Sequence, residues 1–410
     1  MMIMIGYRIQ NSLRSTTEVI MRKIKTLLLS SLVILSSGLA IAENPTSNQL
    51  ASNPTTLIPA APNINAHGFV LMDANSGKIL AEKNMDKTMQ PASLTKLMTL
   101  YITEQELAAG RIHLNDKIHV STNAWRQGGS RMFLKEGDDV TVKQLIQGII
   151  VASGNDSCVA LAEYIAGNES SFADLMNETA KQLNMKNSHF VDSTGLPQPG
   201  HLTTPHDLAI LTRAIIKQFP QYYPFFKDQY ITYNGIKQPN RNRLLWRDKS
   251  VDGLKTGHTK EAGYCLISSA NRNNMRLISV VMGTPTDNDR AQFSEALLNW
   301  GYRFYKTHQV FTKGEAVTSQ RIWLGADKTA SFGVNENVYA TVPAGSYKDV
   351  KVTVNLPKQI KAPIKKGTSY GKVQLSYNGK VIKSAPLYAL QDDKEGGFWR
   401  RISDHISLTV

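Results

Sequence analysis

The chain has 410 residues, 41% of them hydrophobic and 20% charged, with a formal net charge of +14 and two cysteines. That much apolar material can bury more than one core, which excludes a disordered chain, and two cysteines exclude a disulfide framework as the basis of the fold. The basic balance suits an anionic surface, but no zinc-finger or stacking-aromatic pattern accompanies it, so nucleic acid is not an expected partner.

Residues 1–42 read as an N-terminal extension and signal peptide. Arg22, Lys23 and Lys25 precede the apolar run 27–35, and Ala40-Ile41-Ala42 has the small-residue spacing of a cleavage site. Met21, where the basic region begins, reads as the start, and the apolar run is shorter than the ~20 residues of a membrane span. Removing residues 1–42 takes away five basic residues and one acidic residue and leaves a charge of +10. Cys158 and Cys265 are expected as buried free thiols. Residues 43–62 are rich in Pro, Asn, Thr and Ser without an apolar period and read as a linker.

Residues 63–305 carry the pattern of an α/β domain of the α+β kind. Two apolar runs, 69–72 and 79–81, flank Asp73-Ala74-Asn75-Ser76-Gly77, a strand, turn, strand signal. From Ser93 the spacing becomes helical, with Leu94, Leu97, Met98 and Tyr101 on one face and Gly110 as the stop, and this helix is expected to be the most buried. Further helices are expected at 141–150, 156–166, 207–218 and 290–305, and strands at 251–258, 263–270 and 275–283, with a turn at Asn271-Arg272-Asn273-Asn274. Strands at both ends with helices between predict an antiparallel sheet joining the first and last segments.

Residues 306–391 change to a period of two, as in Val350, Val352 and Val354, and Asn378-Gly379 is a strong hairpin signal, so a small all-β sandwich domain is expected. In residues 392–410, Phe398, Ile402, Ile406 and Val410 recur at i+4 beside Trp399, Arg400 and Arg401. This amphipathic helix is expected to lie in the lipid interface of a membrane, the alternative being a cap on the β-domain.

Three clusters carry chemistry: Ser93-Leu94-Thr95-Lys96, Ser153-Gly154-Asn155 and Lys255-Thr256-Gly257. Each alone is weak, since Ser369 with Lys372 also fits Ser-x-x-Lys, but that pair falls on strand patterning, where the two side chains oppose. In a helix the same spacing puts Ser93 and Lys96 on one face. Ser93 is then a nucleophile at a helix start, where its own N–H can help hold an oxyanion, and Lys96 is its base. An ordinary N-cap is the alternative role for Ser93. Lowering a lysine from near 10.4 to about 7 takes roughly 4.6 kcal/mol, which burial and a second ammonium from Lys255 would supply. Ser153 offers a proton relay and Asn155 an amide for a substrate carbonyl, while Thr256 and Gly257 on a strand would lie along an extended substrate, with the backbone N–H of His258 as a second oxyanion donor.

In order and in flanking residues these clusters resemble the low-molecular-mass D-alanyl-D-alanine carboxypeptidases of the penicillin-binding-protein 5 type. The likeness runs through Pro91-Ala92-Ser93-Leu94-Thr95-Lys96, Ser153-Gly154-Asn155-Asp156, Asn240-Arg241-Asn242 and Val251-Asp252-Gly253-Leu254-Lys255-Thr256-Gly257-His258. It covers roughly residues 64–391, including the β-domain, and departs in the extension before Met21 and a short final helix. The resemblance implies a penicillin-recognising serine transpeptidase/β-lactamase-like fold and removal of the terminal D-alanine from a peptidoglycan pentapeptide through an acyl-enzyme on Ser93. It implies β-lactams as inhibitors of the same serine, and Arg241 and Arg290 as ligands of the substrate carboxylate. It also implies tethering at the periplasmic face of the inner membrane.

No cofactor or metal is implied: His201, His206 and Asp207 lack the His-Glu-x-x-His pattern. A class A β-lactamase would need glutamate where Ala180 stands, three before Leu183-Asn184. A D,D-endopeptidase accounts less well for the β-domain, and a wall-binding scaffold without turnover sits badly with three intact clusters.

Overall fold

A computed structural model describes residues 58–409. The proposed signal peptide lies outside the described residues, as does the linker up to residue 57. Residues 58–62, expected as linker, instead pack on the fold: Ile58 and Ala61 join an apolar cluster, and Trp300 Nε1 donates to the Pro59 carbonyl at 3.2 Å.

Five strands form the central sheet: β1 (Gly68–Asp73), β2 (Ile79–Lys83), β3 (Val251–Thr259), β4 (Gly263–Arg272) and β5 (Met275–Thr284), in the spatial order β2-β1-β5-β4-β3. Every pairing is antiparallel, so the first and last strand segments share one sheet, as expected. Asn273 and Asn274 both take positive φ in the β4–β5 hairpin, the conformation that a two-residue turn between twisted strands requires. Alternation divides the side chains between two cores. Val70, Met72, Ile267, Ile278 and Val280 face one cluster, while Phe69, Leu71, Leu266, Leu277 and Val281 face another. A sheet buried on both faces needs helices on both, and the chain supplies them.

On the first face lie α1 (Lys96–Ala108), α2 (Asn155–Ala166), α3 (Glu169–Gln182) and α4 (Pro205–Gln218); on the second lies α5 (Asp287–Phe304). Helix α1 is central, every residue from Lys96 to Glu104 being buried. A short 3₁₀ turn, Ala92–Thr95, precedes it. The expected helix at 141–150 is broken into an α-helical turn, Val142–Gln147, and a π-helical turn, Gly148–Ala152, which ends at Ser153. Helix α3 was not anticipated. Its buried stripe of Phe172, Ala173, Met176, Thr179 and Ala180 has helical spacing but lies in a mostly polar segment, so it does not stand out as an apolar run.

Strand Tyr305–Phe311 follows α5 directly and opens the β-domain, where it pairs with Val338–Pro343 beside a six-stranded sheet. Asn378 and Gly379 both take positive φ in a tight hairpin. The alternation of Val350, Val352 and Val354 does mark a strand, Lys351–Asn355, but an edge strand, with Val352 and Val354 47% and 38% exposed. The two domains are joined by a polar network in which the buried Asp73 accepts from Thr307 Oγ1 at 2.7 Å and Lys78 Nζ donates to the Thr341 carbonyl at 3.0 Å.

One buried group in α1 has no evident compensation. Neither carboxyl oxygen of Glu104 finds a hydrogen-bond partner, and burial holds its pKa well above the usual carboxylate value. Below the usual carboxylate range the group is protonated in the folded and unfolded chain alike. As pH rises through that range the unfolded chain loses its proton while the folded one retains it, so stability falls until the raised folded pKa is passed. Glu104→Gln is therefore expected to melt close to wild type near pH 4.5 and progressively above it as pH rises past the usual carboxylate range, by calorimetry. A difference constant across that span would mean the carboxylate is charged and partnered in the native state.

Candidate active site

The turn Ala92–Thr95 places Ser93 one helical turn before Lys96, and Lys96 Nζ lies 3.0 Å from Ser93 Oγ. At that distance the amine donates to the hydroxyl or, uncharged, takes its proton. The same nitrogen donates to the carbonyl of Thr194 at 2.6 Å. Lys96 is 0% exposed, and burial pushes its pKa down. Ala92 has φ +48°, a left-handed conformation that costs a non-glycine residue ~1–3 kcal/mol.

The second cluster begins where the π-helical turn ends. Ser153 is also left-handed, with φ +58°, and its Oγ accepts from Lys255 Nζ at 2.8 Å. Lys255 is 1% exposed and reaches inward from β3, where its nitrogen also donates to the Thr256 carbonyl at 3.2 Å. Two serine–lysine pairs thus share one site. Burial first, and then repulsion from Lys96, hold Lys255 well below the ordinary lysine range. Interaction between two charges is mutual, so each ammonium disfavours the other. The nearby Cys158 thiol does not offset this, since burial raises its pKa to about 12 and leaves it neutral at physiological pH. Cys265 is likewise a free buried thiol, raised to about 11.

Strand β3 lies at the sheet edge and packs on the nucleophile turn. Gly257 makes this contact possible: a Cβ there would sit 3.1 Å from the Pro91 carbonyl oxygen and 3.2 Å from Leu94 Cγ. Thr256 is buried beside it, while His258 is exposed with its ring stacked on Tyr264 at 3.9 Å. The arginines differ. Arg241 donates to Ser130 Oγ at 2.7 Å, forms no ion pair among the described residues, and its charge helps lower both Lys96 and Lys255. Arg290 is buried behind β3, bonded to Asp287 and donating to the carbonyls of Gly257 at 3.1 Å and Cys265 at 3.3 Å, so it braces the strand.

Asn155 is buried and donates its amide to the Gly128 carbonyl at 2.7 Å, while its backbone N–H goes to the Ser130 carbonyl at 2.7 Å. Asp156, the next residue, accepts from the N–H groups of Met132 and Phe133 at 2.9 Å and of Leu134 at 3.1 Å. Residues 128–134 are thereby drawn across the site. Sequence reading missed this loop, Asp156 as its anchor, and Thr194 as the carbonyl partner of Lys96, because a backbone contact leaves no residue-type signature. His206, by contrast, bonds Asp86 at 2.9 Å at the surface, away from these groups.

Comparison with known proteins agrees with this geometry. Residues 55–286 match the family model described as D-alanyl-D-alanine carboxypeptidase, and residues 305–395 match that of the penicillin-binding protein 5 C-terminal domain. The chain is 44% identical over 356 residues to the D-alanyl-D-alanine carboxypeptidase DacC of Escherichia coli, covering 85% of this chain and 89% of that one. It superposes on the crystal structure of penicillin binding protein 5 from Haemophilus influenzae with a TM-score of 0.78 at 41% identity, covering 82% of this chain and all (100%) of that one. Penicillin-binding protein D2 of Listeria monocytogenes, solved in an ampicillin-bound form, is 30% identical with a TM-score of 0.54, covering 59% of this chain and 100% of that one. With two serine–lysine pairs converging beneath an edge strand and both family models matching in order, the chain belongs to the D-alanyl-D-alanine carboxypeptidases of the penicillin-binding-protein 5 type.

Proposed function

We propose that this serine carboxypeptidase releases the terminal D-alanine of a peptidoglycan pentapeptide by acyl transfer to Ser93. The observation that carries the assignment is the fully buried Lys96 amine, 3.0 Å from Ser93 Oγ, with Ser153 and Lys255 closing the site. Lys96, held uncharged by burial, removes the Ser93 proton as Oγ attacks the penultimate carbonyl. The N–H groups of Ser93 and His258 receive the oxyanion. The proton taken up by Lys96 is relayed through Ser153, which Lys255 orients, to the leaving amine, which departs as free D-alanine and leaves Lys96 uncharged again to act as the base for water. Water, deprotonated by the same lysine, then hydrolyses the ester. Arg241 and Thr256 bind the terminal carboxylate, and Asn155 and the 128–134 loop hold the stem peptide. Arg290 acts through the strand it braces.

A β-lactam presents an amide carbonyl and a carboxylate to the same groups and acylates Ser93. Among the described residues no carboxylate bonds to either serine or either lysine, so there is no dedicated carboxylate base to drive water onto the penicilloyl ester.

The final helix, α6 (Phe398–Thr409), supports attachment to a membrane surface. Its Asp404 is buried against the β-domain, accepting from Arg321 at 2.8 Å and from the Leu324 N–H at 2.7 Å. Docking by the polar side leaves Phe398 72% and Trp399 80% exposed, with Ile406 also outward. A helix capping the β-domain would bury that apolar face, whereas a helix that lies in the lipid interface presents it. No helix among the described residues is long and apolar enough to cross a membrane.

Fluorescent penicillin should label the protein at Ser93. Ser93→Ala should abolish both labelling and D-alanine release, and Lys96→Ala should slow both by about 10²–10⁴-fold; full release by Ser93→Ala rejects the mechanism. Because only the uncharged lysine works and burial lowers its pKa, the acylation rate should rise with pH along an acid limb whose midpoint lies below ~10.4, the free lysine value. The penicilloyl complex should be long-lived, and rapid turnover of a chromogenic β-lactam would contradict the site as described. Sedimentation with vesicles containing anionic lipid should capture wild type but not a Phe398→Ser, Trp399→Ser double variant, whose peptide release is unchanged. Equal capture of both would remove the helix as the anchor.

A further inference from the structure

A buried histidine joins the two segments that must meet for the lysine base to work. One is the turn Ala92–Thr95, with the nucleophile. The other is the loop 191–196, whose Thr194 carbonyl takes one hydrogen of Lys96 Nζ at 2.6 Å. The loop is tightly built. Asp192 Oδ1 accepts from the N–H groups of Thr194 at 2.7 Å and Gly195 at 2.6 Å and from Thr194 Oγ1 at 2.8 Å, and its Oδ2 accepts from Gln198 Nε2 at 3.0 Å. Gly195, at φ +83°, presses on the nucleophile turn so closely that a Cβ would fall 1.9 Å from the Ala92 carbonyl oxygen.

His201 is 2% exposed and spans both segments. Its Nδ1 lies 3.3 Å from the Val191 N–H, which has to donate, so Nδ1 is the acceptor and the proton resides on Nε2. Nε2–H then donates to Thr95 Oγ1 at 2.9 Å, on the residue between Leu94 and Lys96. Asp192 Oδ2 is 3.7 Å from Nδ1, too far for a hydrogen bond, and the Phe190 ring packs edge-on against the imidazole at 5.8 Å.

We propose that His201 is a positioning residue for acylation: through Thr95 on one side and Val191 on the other, it sets the separation between the Ser93 hydroxyl and the Thr194 carbonyl, and so aims the lone pair of Lys96 at Ser93. The physical requirement is directional. A neutral amine has one lone pair and two hydrogens, so when one hydrogen is fixed on Thr194 the lone pair has a restricted cone in which to find Ser93. An error of about 1 Å in such an arrangement costs on the order of 100-fold in rate. The charged and titratable groups facing the imidazole are Asp192, His189 and Lys96, and burial favours its neutral form. Protonation would put a hydrogen on Nδ1 against the Val191 N–H and add a cation facing Lys96, so the bridge holds only while the ring is neutral.

The proposal rests on the acyl-transfer reading, and its test separates the two. The full chain and its His201→Ala, His201→Gln and Thr95→Val variants are mixed with fluorescent penicillin in stopped flow, which resolves the affinity of the non-covalent complex from the acylation rate constant. Melting temperatures are recorded alongside. His201→Ala and Thr95→Val should each slow acylation by about 10–100-fold while leaving non-covalent affinity within about twofold. Their double variant should be no slower than either alone, because both remove one link. His201→Gln, whose amide N–H can reach Thr95, should recover most of the rate and should lose the His-dependent part of the acid limb. Wild-type acylation in His201→Ala or Thr95→Val overturns the proposal. So does a rate loss that follows melting temperature and is not recovered by Gln. Should His201→Ala fail to fold, Thr95→Val decides by the same criterion. Failure of the wild-type chain to be labelled at all would instead overturn the acyl-transfer reading.

Discussion

Two lysine side chains, neither bonded to a carboxylate, are buried together where α1, the turn after Gly148–Ala152 and β3 meet. An isolated charge in such a place is expensive, and that cost pulls both amines toward their uncharged form. The rest of the architecture serves that constraint. Helix α1 is enclosed on all sides from Lys96 to Glu104, and the edge strand is brought within van der Waals distance of the nucleophile turn through Gly257. Each amine keeps a serine hydroxyl and a backbone carbonyl as partners, so dehydration leaves them reactive but not orphaned.

Holding short loops against this centre requires fixed polar anchors. Asp156 gathers the N–H groups of residues 132–134, and Asp192 gathers those of Thr194 and Gly195. Both carboxylates are buried, Asp156 satisfied by backbone donors and Asp192 by backbone donors together with the Thr194 and Gln198 side chains, so neither bonds to a lysine directly. The left-handed Ala92 and Ser153 are strained positions on the two segments that carry the serines, and strain of this kind persists only where surrounding structure over-determines it.

The β-domain contributes no group to the acyl-transfer site. Its mounting is polar at both ends, through Asp73, Thr307 and Thr341 toward the catalytic domain and through Asp404 and Arg321 toward α6. A buried carboxylate on one side of a short helix decides which side faces out, and here it is the aromatic one. The valines of Lys351–Asn355 show the converse: alternation alone signals a strand, while burial depends on whether a neighbouring sheet covers it.

What the sequence determined by itself was whatever depends on near neighbours. Ser93 and Lys96 share a face because they are three apart in a helix, Asn273-Asn274 and Asn378-Gly379 turn because those residues tolerate positive φ, and β1, β4 and β5 alternate between two cores. The order of the three clusters also carried the family. Only the tertiary structure decided the state of the lysines, the brace that Arg290 forms behind β3, the packing of residues 58–62, and the meeting of Thr95 with His201 and of Lys96 with Thr194, pairs roughly a hundred positions apart. Burial and backbone-carbonyl contacts are made between distant segments, and neither has a periodicity that could be read along the chain.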